Sequence, residues 1–223
     1  MTGAGDLVVV AEGSTRLCVR DPADPAHVLK IELSPRARTR AGWRERMRRW
    51  LGREVRYFGD NASELRAWRR LQRRLGADAL AGRFAACRGI VDTARGPALQ
   101  CECVRRQDGT PAPSLFTLLF DDASPLKRLP GAARASEAAR LCSAVGEFTA
   151  WLKANDIPLF DLNAGNFVVL PGPRLVCVDA KSVVSGKEIV PVSRWSRRLM
   201  HRKIDRRGAR LAARIREALA PLP

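Results

Sequence analysis

The stretch from Asp161 to Lys181, DLNAGNFVVLPGPRLVCVDAK, leaves few options for its local fold. Residues 167–170 (FVVL) and 175–179 (LVCVD) are short apolar runs rich in valine, and Pro171, Gly172 and Pro173 between them are strong turn punctuation. The pattern predicts an antiparallel hairpin. Such a hairpin sets the residue before its first strand beside the residue that ends its second. Asn166 and Asp179 are therefore expected to meet at its open end, with Asp161 on the loop just upstream. Two carboxylates and a carboxamide gathered in this way offer oxygen ligands for Mg2+ with a base nearby. A plain hairpin with a polar loop, in which Asp161 caps and Asn166 turns, accounts for the same letters without chemistry.

Spacing separates the two readings. Asp161 and Asn166 are five residues apart, like the Asp and Asn of the protein-kinase catalytic loop, and Asp179 falls at a strand end, where the aspartate of the D-F-G motif falls. The combination of loop, hairpin and second acid favours a kinase-like site over a polar turn.

A chain of 223 residues is one large domain or two small lobes with a cleft. With 46% hydrophobic residues it can bury a sizeable core, which excludes an intrinsically disordered chain. The formal net charge of +17 implies attraction to nucleic acid, anionic lipid or an acidic partner without choosing among them. Arginine far exceeds lysine and alanine is abundant, which reads as a GC-rich bacterial coding bias and accounts for part of that charge. The six cysteines form no C-x-x-C pair and only two histidines accompany them, so no structural zinc site is expected and reduced, largely buried thiols are. No secretory leader or membrane span is evident, and a cytoplasmic protein is expected, peripheral to the inner membrane if its basic segments dock there.

The first half reads as strands. Residues 7–11 and 16–20 flank a turn that holds Gly13 and Ser14, a minimal counterpart of a phosphate-covering loop or an ordinary hairpin turn. In the third strand, 27–33, Lys30 alternates with Leu29 and Ile31 and so points the other way across the pleat. It is either an exposed edge lysine or one that pairs nucleotide phosphates and a helical glutamate. Residues 34–58 carry nine arginines against two glutamates, with Trp43, Met47, Trp50 and Leu51 at helical spacing. A second helix is expected over 63–76, capped by Asn61 or Ser63 and stopped by Gly76. Glu64 in its first turn is the chosen partner for Lys30, with Glu54 as the alternative. Two further strands, 83–93 and 97–104, run into a break at 105–113. That break divides a β-rich lobe (1–105) from a helical lobe (106–223) within a single domain. Glu102 and Val104, at the end of the last strand, join Lys30, Gly13 and Ser14 as nucleotide-binding candidates.

In the second half Ser114 can start a short helix, and a long helix is expected over about 136–154, ending at Asn155. After the hairpin come a loop and a short strand within 182–193. A second basic helix at 193–219 follows, with Trp195, Leu199 and Ile204 on a partial apolar stripe.

Several of these pieces together resemble the YrbL family of PhoP regulatory network proteins, in the protein-kinase-like superfamily. They are V-L-K-I-E around Lys30, E-L-R-A-W-R-R-L-Q-R-R-L from Glu64, R-R-Q-D-G-T-P at the break, the loop through Asn166, V-C-V-D, and I-V-P-V-S-R-W-S. The resemblance implies an α+β, compact two-lobed protein-kinase-like fold and a bacterial envelope-stress regulatory context. This chain departs from protein kinases at several points. Leu159-Phe160-Asp161 stands for H-R-D, Asp179-Ala180-Lys181 for D-F-G, there is no A-P-E, and 44 residues remain after Asp179. A compact kinase for a small-molecule or glycolipid hydroxyl fits better than a protein kinase.

The expected mechanism is phosphoryl transfer from ATP with Mg2+. Lys30, held by Glu64, positions nucleotide phosphates. Asn166 and Asp179 hold the metal, and Asp161 is the base. Asn163 either orients that base or forms a turn. The competing readings are a pseudokinase serving as a binding module and, last, a basic nucleic-acid-binding protein. The basic segments add a possible partner, an anionic membrane surface.

Overall fold

The structure is a computed structural model that describes residues 8–13, 15–33, 59–183 and 192–220. Its first half is an antiparallel sheet in the order β1-β2-β3-β5-β4: β1 Val9–Glu12, β2 Arg16–Arg20, β3 His27–Glu32, β4 Cys87–Thr93 and β5 Gly96–Glu102. Register fixes which residues share a face. Lys30 stands opposite Cys18 on β2 and Leu99 on β5, while Arg16 stands opposite Glu32. Side chains two apart point the same way, so Arg16, Cys18, Val28 and Lys30 share one face. Val19, Leu29, Ile31 and Ala98 fill the other face as a small apolar cluster of their own.

Helix α1 (Asp60–Leu75) packs on the Lys30 face. Its buried stripe is Asn61, Glu64, Leu65, Trp68 and Leu71, spaced three and four apart, and its arginines at 66, 69, 70, 73 and 74 face away. The stripe therefore carries two polar residues into the interior, both aimed at the sheet. The helix begins at Asp60, three residues earlier than the sequence predicts. Gly59 is its N-cap, with no side-chain cap bond. Asn61 does not cap because its side-chain amide is spent on the carbonyl of Lys30, at 2.7 Å. Gly76 ends the helix with φ +83°, and a single-turn helix, α2 (Ala77–Leu80), follows.

The second half is helical, with one hairpin inserted. Ser114 caps α3 (Leu115–Phe120) by accepting the Thr117 N–H. The long helix α4 (Gly131–Ala154) starts five residues before its expected position, behind Pro130. Its stripe of Leu141, Val145, Phe148 and Leu152 enters the main core. Phe148 meets Phe167 edge-on, with ring centroids 5.1 Å apart. The hairpin is β6 (Phe167–Leu170) and β7 (Arg174–Cys177), turning at Gly172 with φ +79°. It ends two residues short of Asp179. Instead of extending β4, residues 83–85 pair with Cys177: its N–H donates to Arg83 and its carbonyl accepts from Ala85. These bonds anchor the hairpin to the segment that enters the sheet, and so fix Asp179 relative to Lys30.

Helix α5 (Arg194–Ala218) follows behind a Ser193–Ser196 capping box. Its buried stripe is Met200, Ile204, Gly208, Leu211 and Ile215. Trp195 is not part of it and stays 72% exposed, because it lies a full turn before the packed face begins. Gly208 faces Thr149 of α4 so closely that a Cβ there would lie 2.8 Å from the threonine methyl. Among the described residues, no helix is long and apolar enough to cross a membrane. The first basic segment with Trp43, Trp50 and Glu54, and the strand expected around 187–192 except Val192, lie outside the described residues.

Candidate active site

A buried ion network links the sheet, α1 and the hairpin. Lys30 Nζ donates to Glu64 Oε1 at 2.5 Å and also to the carbonyl of Val178. Glu64 is 1% exposed and Lys30 5%, so neither charge has bulk water to solvate it. Each is tolerable there only because the other is present. Burial pulls the Lys30 ammonium down, but Cys101 and Glu64 outweigh it and hold the group above its ordinary value.

The network has a third member, Arg16 of β2. Its Nη1 bonds the other oxygen of Glu64, and its Nη2 lies 2.6 Å from Asp179 Oδ2. Burial pushes the Asp179 carboxyl up, yet Arg16, with Lys181 and Lys30, more than offsets this and holds it below the usual carboxylate range. The Lys181 N–H donates to Asp179 Oδ1 at 3.1 Å, and the Lys181 ammonium stands 3.5 Å from Oδ2 and 3.6 Å from Asp60. Sequence reasoning passed over Arg16, which looks like any charged residue in a short strand. Its signal exists only in the register, which turns it to the same face as Lys30.

The catalytic-loop residues assemble beside this network. The Asn166 side-chain N–H donates to the Asp161 carbonyl at 2.9 Å, and the Val178 N–H donates to the Asn166 carbonyl at 2.8 Å. The hairpin's open end therefore joins Asn166 to the residue before Asp179. With its nitrogen committed to Asp161, the Asn166 amide offers its oxygen as a ligand atom. The Asn163 side-chain N–H donates to Asp161 Oδ1 at 2.8 Å, which fixes the exposed carboxylate and leaves its second oxygen open.

Lys30, Asp161, Asn166 and Asp179 line one cleft, which Gly13 and Thr15 border from the β1–β2 loop. Glu64 sits behind Lys30. The cleft is open to solvent and has a volume of about 1440 Å³. Ser14 lies outside the described residues. Glu102 and Val104 are not among the residues that line the cleft. The Glu102 carboxylate accepts the Ala86 N–H at 3.1 Å, the Val104 carbonyl accepts the Ala112 N–H, and the cleft wall at this point runs through Pro111 to Ser114. Phe116 and Phe120 of α3 and Arg214 of α5 complete the wall away from the sheet.

The donors toward the cleft are carboxylate and amide oxygens, the set that a hard cation such as Mg2+ takes. A second group of ligand types, Glu64 with Cys87 and Cys101, lies inside the sheet–helix interface. Its carboxylate is already committed to Lys30 and Arg16. All six cysteines are free thiols.

Two crystal structures of a protein kinase domain are similar to this chain. Both are of PknI from Mycobacterium tuberculosis, one a single mutant and the other a double mutant. The first is 16% identical with a TM-score of 0.38, covering 80% of this chain and 58% of that one. The second is 15% identical with a TM-score of 0.40, covering 80% and 60%. The chain spans about three-fifths of the length of those kinase domains. It matches no protein-family model and no curated protein.

Proposed function

We propose that the protein is a kinase-like phosphotransferase that uses ATP and Mg2+ to phosphorylate a hydroxyl acceptor. One observation carries this reading: the Lys30–Glu64 pair, the Asp161–Asn166 loop and Asp179 converge on a single cleft from three separate parts of the chain. A polar turn gives no reason for a buried lysine–glutamate pair beside it.

In this mechanism Lys30 holds nucleotide phosphates and Glu64 holds Lys30. Asp179 and the Asn166 amide oxygen are the protein ligands for the metal. A bound Mg2+ supplies charge neutralisation for the phosphoryl group in transfer. Asn163 keeps one Asp161 oxygen in place, and the other accepts the proton of the acceptor hydroxyl. The acceptor oxygen bonds to the γ-phosphorus as the bond from that phosphorus to the β,γ-bridging oxygen breaks, and ADP leaves. The proposed acceptor is a hydroxyl of a small molecule or glycolipid.

The proposed setting is that of the YrbL-type proteins, a PhoP-like envelope-stress response in bacteria. The arginines of α5 are exposed, Arg214 at the cleft and Arg197 paired with Asp156 among them, and the exposed Arg202, Arg206 and Arg210 support docking on an anionic membrane surface. A second reading, a pseudokinase that binds without turnover, is favoured by Arg16, which already occupies Asp179. Thin-layer separation of products from radiolabelled ATP and candidate hydroxyl acceptors tests the enzyme reading. Transfer that disappears in Asp161→Asn supports it. Nucleotide binding with no transfer to any acceptor supports the pseudokinase.

A further inference from the structure

Both oxygens of Asp179 are already engaged: Oδ2 by Arg16 and Oδ1 by the Lys181 N–H. A divalent cation at Oδ2 competes with the Arg16 guanidinium for the same anionic oxygen, cation against cation. Of these two partners Arg16 carries the positive charge, so it is the one a second cation repels, and its departure leaves Lys30 its partner. Glu64 uses separate oxygens for Lys30 and Arg16, so it keeps Lys30 if Arg16 departs. Arg16 also stands at the foot of the Glu12–Thr15 loop and lines the cleft. A guanidinium there meets phosphate with the same planar fork that it now presents to two carboxylates.

We propose that Arg16 is a phosphate-binding residue that the ligand-free protein parks on Asp179 and Glu64, where it holds the cation position until a nucleotide polyphosphate draws it away and a divalent metal takes its place. This rests on the nucleotide reading of the cleft. After the exchange every charge again has a partner: Lys30 with Glu64, Arg16 with phosphate, Asp179 with metal. Metal and nucleotide then bind as a coupled pair, and metal alone binds poorly.

The test uses the full chain with two probes, Mn2+ alone, followed by the resonance of free Mn2+, and a non-hydrolysable ATP analogue in EDTA, followed by calorimetry. For Arg16→Gln the two affinities are expected to move in opposite directions. Mn2+ alone should bind roughly tenfold or more tightly than to the parent protein, and the metal-free analogue roughly tenfold or more weakly. A merely structural arginine does not produce that opposition. Arg16→Lys keeps the charge, and with it the fold if Arg16→Gln melts below the assay temperature. It should fall between parent and Arg16→Gln on both probes. Affinities that are unchanged, or that weaken together, overturn the proposal. A parent protein that does not bind the analogue, while Arg16→Gln gains Mn2+, rejects the nucleotide reading and the phosphate role of Arg16 but leaves the parked cation standing.

Discussion

Nη2 of Arg16 and Oδ2 of Asp179 lie 2.6 Å apart although 163 residues separate them in the chain. Through Glu64 the same guanidinium reaches Lys30, so one network ties β2, β3, α1 and the end of the hairpin together. Removing Glu64 leaves the buried Lys30 without a carboxylate and Arg16 with Asp179 alone. Glu64→Gln is therefore expected to destabilise the protein by about 3–5 kcal/mol, a fall in Tm of roughly 6–20 °C for a chain of this size. Differential scanning calorimetry of the variant beside the parent checks this. A Tm within about 2 °C of the parent would mean that water, not Lys30 and Arg16, solvates Glu64.

The network also sets a sign for the pH dependence. Asp179 is held below the usual carboxylate range in the folded protein. Its contribution is thus complete above the unfolded carboxylate value of about 4 and is lost as pH falls through the lower folded value. Urea midpoints should be level with respect to this group from pH 7 to about 5 and decline below about pH 4. In Arg16→Gln the main offset to burial is gone, so the decline should start at higher pH. Superimposable profiles for parent and variant would show that Arg16 does not hold the Asp179 proton off.

Gly208 offers a test of the helical half that leaves the cleft untouched. A methyl group at this position meets the Thr149 methyl at 2.8 Å. Gly208→Ala should cost about 1–3 kcal/mol by overpacking α4 against α5. Adding Thr149→Ser removes the opposing methyl and should recover part of the loss. A double-mutant cycle with no coupling would show that the helices part freely at this crossing.

The sequence carried the alternation, the turns and the spacing, and these locate most of the elements. Five strands, the α1 stop at Gly76, the Ser114 cap and the hairpin around Gly172 all follow from local patterns that need no knowledge of distant neighbours. Starts of helices were less legible. Asn61 has the chemistry of a cap, but a tertiary bond to Lys30 claims it, and no window of local sequence contains that competitor. Likewise, the loop spacing brought Asp161, Asn166 and Asp179 into view, whereas Arg16 needed the pairing of β2 with β3 and the anchoring of Cys177 to Arg83 and Ala85. Trp195 illustrates the converse: it follows a helical spacing on paper but lies outside the segment of α5 that touches α4.

The arginines of α5 bear on the proposed membrane partner. Arg202, Arg206 and Arg210 recur every four residues and are exposed. If this face docks on anionic lipid, each contributes on the order of 1 kcal/mol, screened by salt. Changing all three to Gln should lower sedimentation with anionic vesicles by about two orders of magnitude in affinity, with neutral vesicles binding neither protein. Equal binding of parent and triple variant would assign the face to solvent alone.

Calorimetric titration of ATP into the parent protein and Asp179→Asn, each with Mg2+ and with EDTA, bears most directly on the cleft as a metal–nucleotide site. Asp179→Asn removes an anionic oxygen ligand and leaves Lys30 and Arg16 in place. The expected result is parent binding that is tighter with Mg2+ than with EDTA, and an Asp179→Asn protein that loses this difference by roughly tenfold or more while still binding ATP in EDTA. Asp161→Asn, run as a control, should bind like the parent, because it alters the base and not the metal ligands. ATP affinity in the parent that is unaffected by Mg2+, or a metal effect that survives intact in Asp179→Asn, would contradict the site.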